Sequence, residues 1–299
     1  VGYVEKLYMR PMSFKEFLWA NNYSEEMIEG FKEYFDKELP VPSLIHDKLN
    51  ELFLHYVVVG GMPEAVKAYV DASNLYNVLE IQRRILDDYK DDIAKYSTKM
   101  MKEKVRECFE SIPDQLAKDN KKFQYGAIKA GARSKEYEKS IEYMQNNNMI
   151  IKSTRIKELV RPLSNSKDEE SFKLYYNDSG ILFKKMNVSG NRLMTNDKLL
   201  EILYESNIVS TLASNGFNIY HYHSGGKAYI DIVIQTRTGK ILPIEIMHGE
   251  NNAKSKSTTL SMKKYNLPLG IKFGGEEFKE KNSIKYLPYY AAFCITEDL

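Results

Sequence analysis

The sequence has few of the residues that build cysteine- and histidine-based metal sites. Its 299 residues include two cysteines, Cys108 and Cys294, and five histidines, none of which form a His pair on a predicted helix. Two distant cysteines are typical of a reducing compartment and exclude a disulfide framework or a cysteine metal cluster. We therefore expect a cytoplasmic protein without a zinc site.

Long apolar runs and a strong charge of one sign are also missing. No run approaches the roughly 18 apolar residues of a membrane span, and no signal-peptide pattern occurs. The 43 Lys and Arg residues nearly balance 41 Asp and Glu residues, which argues against a protein that coats nucleic acid but leaves local basic faces open. The chain length favours two or three globular domains, and we expect no membrane partner.

A phosphate-binding loop is absent as well. The pattern G-x-x-x-x-G-K-[ST] does not occur. Gly225, Gly226 and Lys227 are followed by Ala228 and lack the upstream glycine, so they predict a turn between strands. No apolar run ends in paired acids, as the magnesium-side strand of a P-loop ATPase would. We expect that this chain alone cannot hydrolyse ATP.

The apolar periodicity divides the chain into four regions, which together predict an α+β multidomain protein. Residues 1–40 contain a short strand over 1–9 and a helix that begins with the capping box of Ser13 and Glu16. Residues 41–118 form a helical domain, residues 119–190 combine helices with a hairpin, and residues 191–299 form an α/β module with a mixed sheet. Within the helical domain, Gly-Gly-Met-Pro-Glu at 60–64 separates two helices.

The order of elements in residues 119–190 is that of a winged helix. Residues 123–130 predict a short helix, Ser134 begins a second one, and strands follow at 149–151, 155–160 and 172–176, with a polar loop at 164–171. A winged helix places its second helix in a major groove and its wing on backbone phosphates.

This winged-helix-like module is locally basic, with ten Lys or Arg against five acids over residues 119–161. The candidate DNA-binding residues are Arg133, Lys135 and Lys139 at the second helix and Lys152, Arg155 and Lys157 near the wing. Phosphate contacts would make the affinity salt-dependent. The alternative is a solvated face on a protein-binding module, and Glu136, Glu138 and Glu142 on the same helix favour it.

Two predicted strands over residues 229–247 each carry one carboxylate, Asp231 and Glu245. Two such acids can hold Mg²⁺ against a phosphodiester, and the ion lowers the pKa of a bound water. A lysine two residues after the second acid would point to the same face and orient that water. Met247 stands there instead, and a thioether carries no charge. The alternative is that both acids are ordinary residues at strand ends.

The C-terminal region resembles the restriction-endonuclease-like, or PD-(D/E)XK, nuclease fold. The order is a helix over 197–216 with Glu205, the strand of Asp231, the strand Pro-Ile-Glu-Ile-Met at 243–247, and a helix over 257–265. The resemblance implies Glu205, Asp231 and Glu245 as catalytic acids, with Asp231 and Glu245 as metal ligands. Met247 makes the site vestigial, unless Lys254 or Lys256 supplies a relocated amine.

The whole chain resembles the part of a prokaryotic AAA-type ATPase family that follows the P-loop. The resemblance rests on residues 1–4, 7, 11–18, 60–65, 82–86, 89–93, 172–178, 180–182, 204–205, 230–234 and 243–246. It implies a P-loop domain before Val1, with ATP and Mg²⁺ bound there. It also makes the N-terminal strand and helix remnants of the ATPase core.

Three functions remain open at this point. The first is a DNA-binding or regulatory region with an inactive nuclease-like module. The second is a metal-dependent DNA nuclease that uses Asp231, Glu245 and a relocated lysine. The third is a protein-interaction module coupled to the ATPase. The expected partners are accordingly DNA, the P-loop domain, and a second copy or another protein.

Overall fold

A computed structural model describes residues 9–72, 74–95, 99–188, 193, 195–225, 228–247, 256–275 and 278–298. Apart from Met9, the strand predicted over residues 1–9 lies outside these ranges. So do Gly226 and Lys227 of the predicted turn and the candidate amine of Lys254.

The first part of the chain is helical, as the periodicity predicts. The helices are α1 (Phe14–Ala20), α2 (Glu25–Asp36), α3 (Ser43–Val59), α4 (Pro63–Ala72), α5 (Leu75–Lys95) and α6 (Lys99–Leu116). The predicted capping box begins α1, since the Ser13 amide donates to Glu16 Oε2 over 2.6 Å. Pro113 lies inside α6, which continues past it for one more turn.

Two helices and a hairpin follow. They are α7 (Tyr125–Ile128), α8 (Ser134–Asn146), β1 (Ile150–Ile156) and β2 (Lys167–Tyr176). The two short strands predicted at 149–151 and 155–160 are one strand, β1. The order agrees with the helix, helix, hairpin pattern, but β1 pairs with β2 on one side and with a strand of the C-terminal region on the other.

The rest of the chain alternates helices and strands. Its elements are α9 (Ser179–Met186), α10 (Asp197–Ser214), β3 (Tyr220–His223), β4 (Tyr229–Gln235), β5 (Ile241–Ile246), α11 (Ser257–Tyr265), β6 (Gly270–Gly274), β7 (Lys279–Lys281) and β8 (Ile284–Pro288). A 3₁₀ helix, Tyr289–Cys294, follows β8 directly.

The described strands form one mixed, eight-stranded sheet in the order β2-β1-β3-β4-β5-β6-β8-β7. Neighbours β1 and β3, β5 and β6, and β6 and β8 are parallel, and the other pairs are antiparallel. The α+β class and the mixed sheet are therefore confirmed. The β1-β2 hairpin and the strands of the C-terminal region share this sheet.

The two faces of the sheet are covered by different helices. Ile232, Ile244 and Phe273 pack in the large core that also contains the apolar side of α10. Tyr222 and the strand residues around it pack on the other face, where the Tyr222 and Tyr265 rings meet at the end of α11. Because side chains alternate along a strand, successive residues along β5, and likewise along β6, point to opposite faces of the sheet.

The Gly-Gly turn after α3 connects three distant segments. The Met12 amide donates to the Gly61 carbonyl over 2.6 Å, and the Gly61 amide donates to Asp178 Oδ2 over 2.6 Å. Gly60 has φ +78°, and a Cβ there would lie 2.3 Å from Asp178 Oδ1. The turn therefore requires glycine for both its conformation and its close approach to Asp178.

Candidate functional site

A β-bulge in β4 determines the position of Asp231, the first of the two acids predicted on the strands. Ile232 of β4 pairs with Ile244 of β5, so a regular ladder would set Asp231 opposite Glu245 on one face. In the pairing of β4 with β3, however, two residues, Asp231 and Ile232, stand opposite His221 alone. A bulge of this kind bends the strand and redirects a side chain.

Glu205 of α10 is the centre of a buried polar cluster. Lys121 Nζ lies 2.5 Å from Glu205 Oε2, and Lys173 Nζ of β2 lies 3.0 Å from Oε1. The Tyr175 hydroxyl also donates to Oε1. Lys121 makes a second ion pair, 2.8 Å long, with the more exposed Glu201. One carboxylate is thus neutralised by two lysines out of contact with bulk water.

The charges in this cluster favour the ionised forms. Burial alone would raise the pKa of Glu205, but the Lys121 and Lys173 ammonium groups outweigh it and hold that pKa below its usual range. Burial would likewise lower the pKa of both lysines, and the attraction of Glu205 raises each instead. Burial, followed by the charge of Lys173, lowers the pKa of the neighbouring His221. His221 is therefore neutral at physiological pH.

Asp231 belongs to this same electrostatic cluster. Burial first, and then repulsion by Glu205, raise its pKa to about 7. Its Oδ2 accepts from the Ile246 amide over 3.0 Å, and Lys173 Nζ lies 3.4 Å from its backbone oxygen. The half-buried carboxylate of Asp231 therefore bonds to the backbone of β5, and the charges of Glu205 and its lysines act on it.

Glu245 lies in a second cluster. Its Oε2 is 2.8 Å from Lys272 Nζ of β6 and accepts from the Thr258 hydroxyl of α11 over 2.6 Å. All three side chains are buried. Glu245 and Lys272 are register partners on adjacent parallel strands, so the pair follows from the sheet itself. The structure therefore brings Glu205 and Asp231 together and gives Glu245 different partners.

Met247 occupies the position where the resemblance implies a lysine. Its amide donates to Phe273 O over 2.7 Å and its carbonyl accepts from the Tyr289 hydroxyl. Lys256, one of the two candidate relocated amines, is exposed and makes no ion pair with the described residues. The lysines that reach the predicted acids are Lys121, Lys173 and Lys272 instead.

The predicted metal ligands do not fit a divalent cation in this arrangement. Within the described ranges, no group of three or more His, Cys, Asp or Glu side chains is arranged to hold a metal ion. A Mg²⁺ ion at Glu245 would have to displace Lys272, and one at Glu205 would have to displace Lys121 and Lys173. Removing one partner of a buried ion pair is costly.

Sequence reasoning missed Lys121, Lys173, Tyr175 and Lys272, but two of these lysines carry a recognisable signal. Lys173 stands between Phe172 and Leu174, and Lys272 stands between Ile271 and Phe273. A lysine inside an apolar strand must find a partner, because an unpaired buried charge is strongly unfavourable. The pattern therefore indicates buried ion pairs, although it does not name the acids.

The basic residues of the winged-helix-like module differ in their exposure and in whether they form ion pairs. Arg133, Lys135, Lys139 and Lys157 are exposed and make no ion pair with other described residues. Lys152 pairs with Glu169 at 3.3 Å and lies over the Phe172 ring. Arg155 pairs with Asp168 at 3.1 Å and donates to the His223 carbonyl. Helix residues are thus available for contacts, and two of the three wing residues are already engaged.

The cleft between α8 and β2 is acidic. It has a volume of about 820 Å³, and Glu138, Glu142, Glu169 and Glu170 line it against two cations, Arg133 and Lys152. Tyr125, Ile141 and Phe172 also line it. Among the described residues, Glu138, Glu142 and Glu170 have no ion-pair partner, so the cleft carries uncompensated negative charge.

Comparisons with known proteins give one match. Residues 50–192, a little under half of the chain, match a family model described as a domain of unknown function, DUF8612. No curated protein matches the chain. No solved structure matches it either. Among the described residues, no helix is both long and apolar enough to cross a membrane.

Proposed function

We propose that this chain is a regulatory binding region whose nuclease-like module does not cleave nucleic acid. The observation that carries the proposal is the pairing of the expected catalytic acids with buried lysines: Glu205 with Lys121 and Lys173, and Glu245 with Lys272. These pairs offset the carboxylate charge that a catalytic cation would otherwise balance.

A cleavage assay tests the absence of nuclease activity. The purified chain and its Glu245→Ala variant are incubated with plasmid and single-stranded DNA in Mg²⁺ or Mn²⁺. We expect equal background cleavage by both proteins, and the same background from Met247→Lys, because a lysine at 247 leaves the Lys272 pair intact. Metal-dependent cleavage by the unmodified chain that Glu245→Ala abolishes would establish the nuclease alternative.

We propose a basic protein segment as the partner of the acidic cleft. The cleft has apolar and aromatic side chains for contact and three carboxylates without ion-pair partners among the described residues. Complementary charge accelerates association and sets specificity. A winged helix that uses its helix and wing together on DNA would bring phosphates against these carboxylates, which is unfavourable.

Peptide binding tests this partner class. The probe is an unstructured peptide rich in Lys and Arg, measured by fluorescence anisotropy at low and high salt. Combining Glu138→Gln, Glu142→Gln and Glu170→Gln should weaken binding about tenfold. The matched control removes three exposed acids elsewhere, Glu26→Gln, Asp88→Asn and Glu280→Gln. Equal weakening by both sets would refute the cleft as the binding site.

DNA is the second candidate partner, supported by the exposed and unpaired Arg133, Lys135, Lys139 and Lys157. If these residues contact phosphates, affinity for duplex DNA falls steeply as salt rises. The combined Lys135→Ala and Lys139→Ala variant would then lose affinity without affecting the basic-peptide measurement. Absence of DNA binding at low salt would remove this candidate.

The relation to P-loop ATPases also remains our proposal. Its support is one hydrogen-bonded junction, in which Gly61 binds both Met12 and Asp178. All three residues lie within stretches that carry the resemblance. The genomic reading frame before Val1 provides the test. A G-x-x-x-x-G-K-[ST] loop encoded there would support the relation.

A further inference from the structure

A small polar cavity lies beside Asp178, away from the nuclease-like acids. Its volume is about 20 Å³, and its walls come from Tyr56 of α3, the segment 177–179, and Asn207 and Ser210 of α10. One water-sized particle needs about 10–15 Å³ of such space. The cavity therefore admits a single particle of that size.

Two oxygen acceptors in the walls lack partners. Asn177 and Asn207 are 5% and 3% exposed, and neither Oδ1 atom has a hydrogen-bond partner in the described structure. The other end of Asn207 is fixed, because its Nδ2 donates to Ser179 Oγ over 3.1 Å. Since buried acceptors without partners are rare and costly, these two oxygens favour a polar or positively charged occupant of the cavity.

The third feature is a buried carboxylate without a cation. Asp178 accepts from the Gly61 and Ile181 amides at 2.6 and 2.9 Å, and it has no ion-pair partner among the described residues. It is 4% exposed, and the nearby Tyr56 and Tyr89 rings bring no positive charge. The cavity thus combines a negative wall with two oxygen dipoles, which favours a positive ligand.

We infer that this cavity binds a monovalent cation of the size of Na⁺ or K⁺, with the Oδ1 atoms of Asn177 and Asn207 as ligands and Asp178 as its charge partner. A Mg²⁺ ion fits poorly, because it keeps several waters and there is space for one particle only. The inference stands apart from the proposed function, since none of the nuclease-like acids or cleft residues takes part.

Thermal unfolding at fixed ionic strength tests the inference. The chain is melted in NaCl, KCl and choline chloride, each at about 0.15 M. A bound cation stabilises the folded state by mass action, so we expect a midpoint about 3 °C higher in NaCl or KCl than in choline chloride. Equal midpoints in all three salts would indicate a water in the cavity and overturn the inference.

Variants locate the effect. Asn207→Ala should abolish the difference between salts, and Asn207→Asp should enlarge it by adding a second negative charge. The control is Asn196→Ala, which removes the cap of α10 and lowers the midpoint in all salts without changing their difference. A salt difference that persists in Asn207→Ala would place the cation elsewhere.

Crystals of the unmodified chain soaked in thallium(I) acetate give a direct measurement that does not depend on any variant folding. Thallium(I) substitutes for K⁺ and scatters anomalously. An anomalous peak between Asn177 and Asn207 would confirm the site, and density for a water alone would refute it.

Discussion

Glu205 and Asp178 are both carboxylates buried in the same core, yet their surroundings differ. Glu205 has two lysines within ion-pair distance, and its pKa is held below the usual range. Asp178 has only backbone amides as donors among the described residues, and burial raises its pKa. The comparison shows that backbone amides satisfy the geometry of a buried carboxylate but do not replace a countercharge.

The largest expected effect comes from removing the acid between the two lysines. Glu205→Gln leaves Lys121 and Lys173 without their shared countercharge in the core, so we expect a loss of about 3–5 kcal/mol in the free energy of unfolding. Urea denaturation measures it. Glu201→Gln is the matched control, because the same change on the same helix affects a more exposed pair. Equal losses in both variants would contradict the central role of Glu205.

At Asp178, the stability of the fold should depend on the close approach of Gly60 rather than on an ion pair. Gly60→Ala puts a Cβ within 2.3 Å of the Asp178 carboxylate at φ +78°, and we expect a loss of about 2 kcal/mol or more. Gly131→Ala is the control, because Gly131 also has φ +78° but has open space around it. Its strain alone should cost roughly 1 kcal/mol. Equal costs would show that contact with Asp178 does not matter.

The pH dependence of stability should have opposite signs for Glu205 and Asp231. The lowered pKa of Glu205 means that its contribution is complete above 4.5 and is lost as pH falls. Burial and repulsion by Glu205 raise the pKa of Asp231 from 3.8 to about 7, so its contribution is present at low pH and is lost as pH rises through that window. Urea denaturation between about pH 3 and pH 8 can separate the two effects.

Each of these contributions is obtained by subtraction. The unfolding free energy of Glu205→Gln or Asp231→Asn is subtracted from that of the unmodified chain at each pH. The difference should rise with pH for Glu205, below 4.5, and fall with pH for Asp231. A difference that rises with pH for Asp231 as well would mean that burial and the charge of Glu205 do not raise its pKa.

The smallest effect is expected where an ion pair is exposed. Lys67 and Asp71 lie one helical turn apart on α4 at 2.5 Å, with more than half of each side chain in solvent. Lys67→Ala should change the free energy of unfolding by less than about 0.5 kcal/mol. If Lys67→Ala lost as much stability as Glu205→Gln, burial would not explain why the ion pairs of Glu205 contribute more than an exposed pair.

Local signals explain why much of the fold was predictable. Ser13 and Glu16 mark the start of α1, the glycines at 60 and 61 mark the end of α3, and α11 has the predicted bounds. Each is set by hydrogen bonds or conformations within a few residues. The pairing of β1 with β3 could not be predicted, since it joins residues more than sixty positions apart.

The candidate site was predictable only in part, because its geometry depends on a bulge and on distant partners. The alternation of side chains predicts Asp231 and Glu245 on one face, but the extra residue opposite His221 redirects Asp231. Lys173 and Lys272 stand out within apolar strands, yet only the folded sheet shows which acid each one neutralises. The binding of DNA or of a protein by this region stays a prediction.

The parallel pairing of β1 with β3 limits how the chain can be divided for study. A piece that ends near residue 190 would contain β1 but not β3, and would leave the backbone of residues 154–156 without its partner strand. Even a short open strand edge promotes aggregation. Expression of residues 50–192 alone is therefore expected to give insoluble material, and useful truncations must keep both sides of that strand pair.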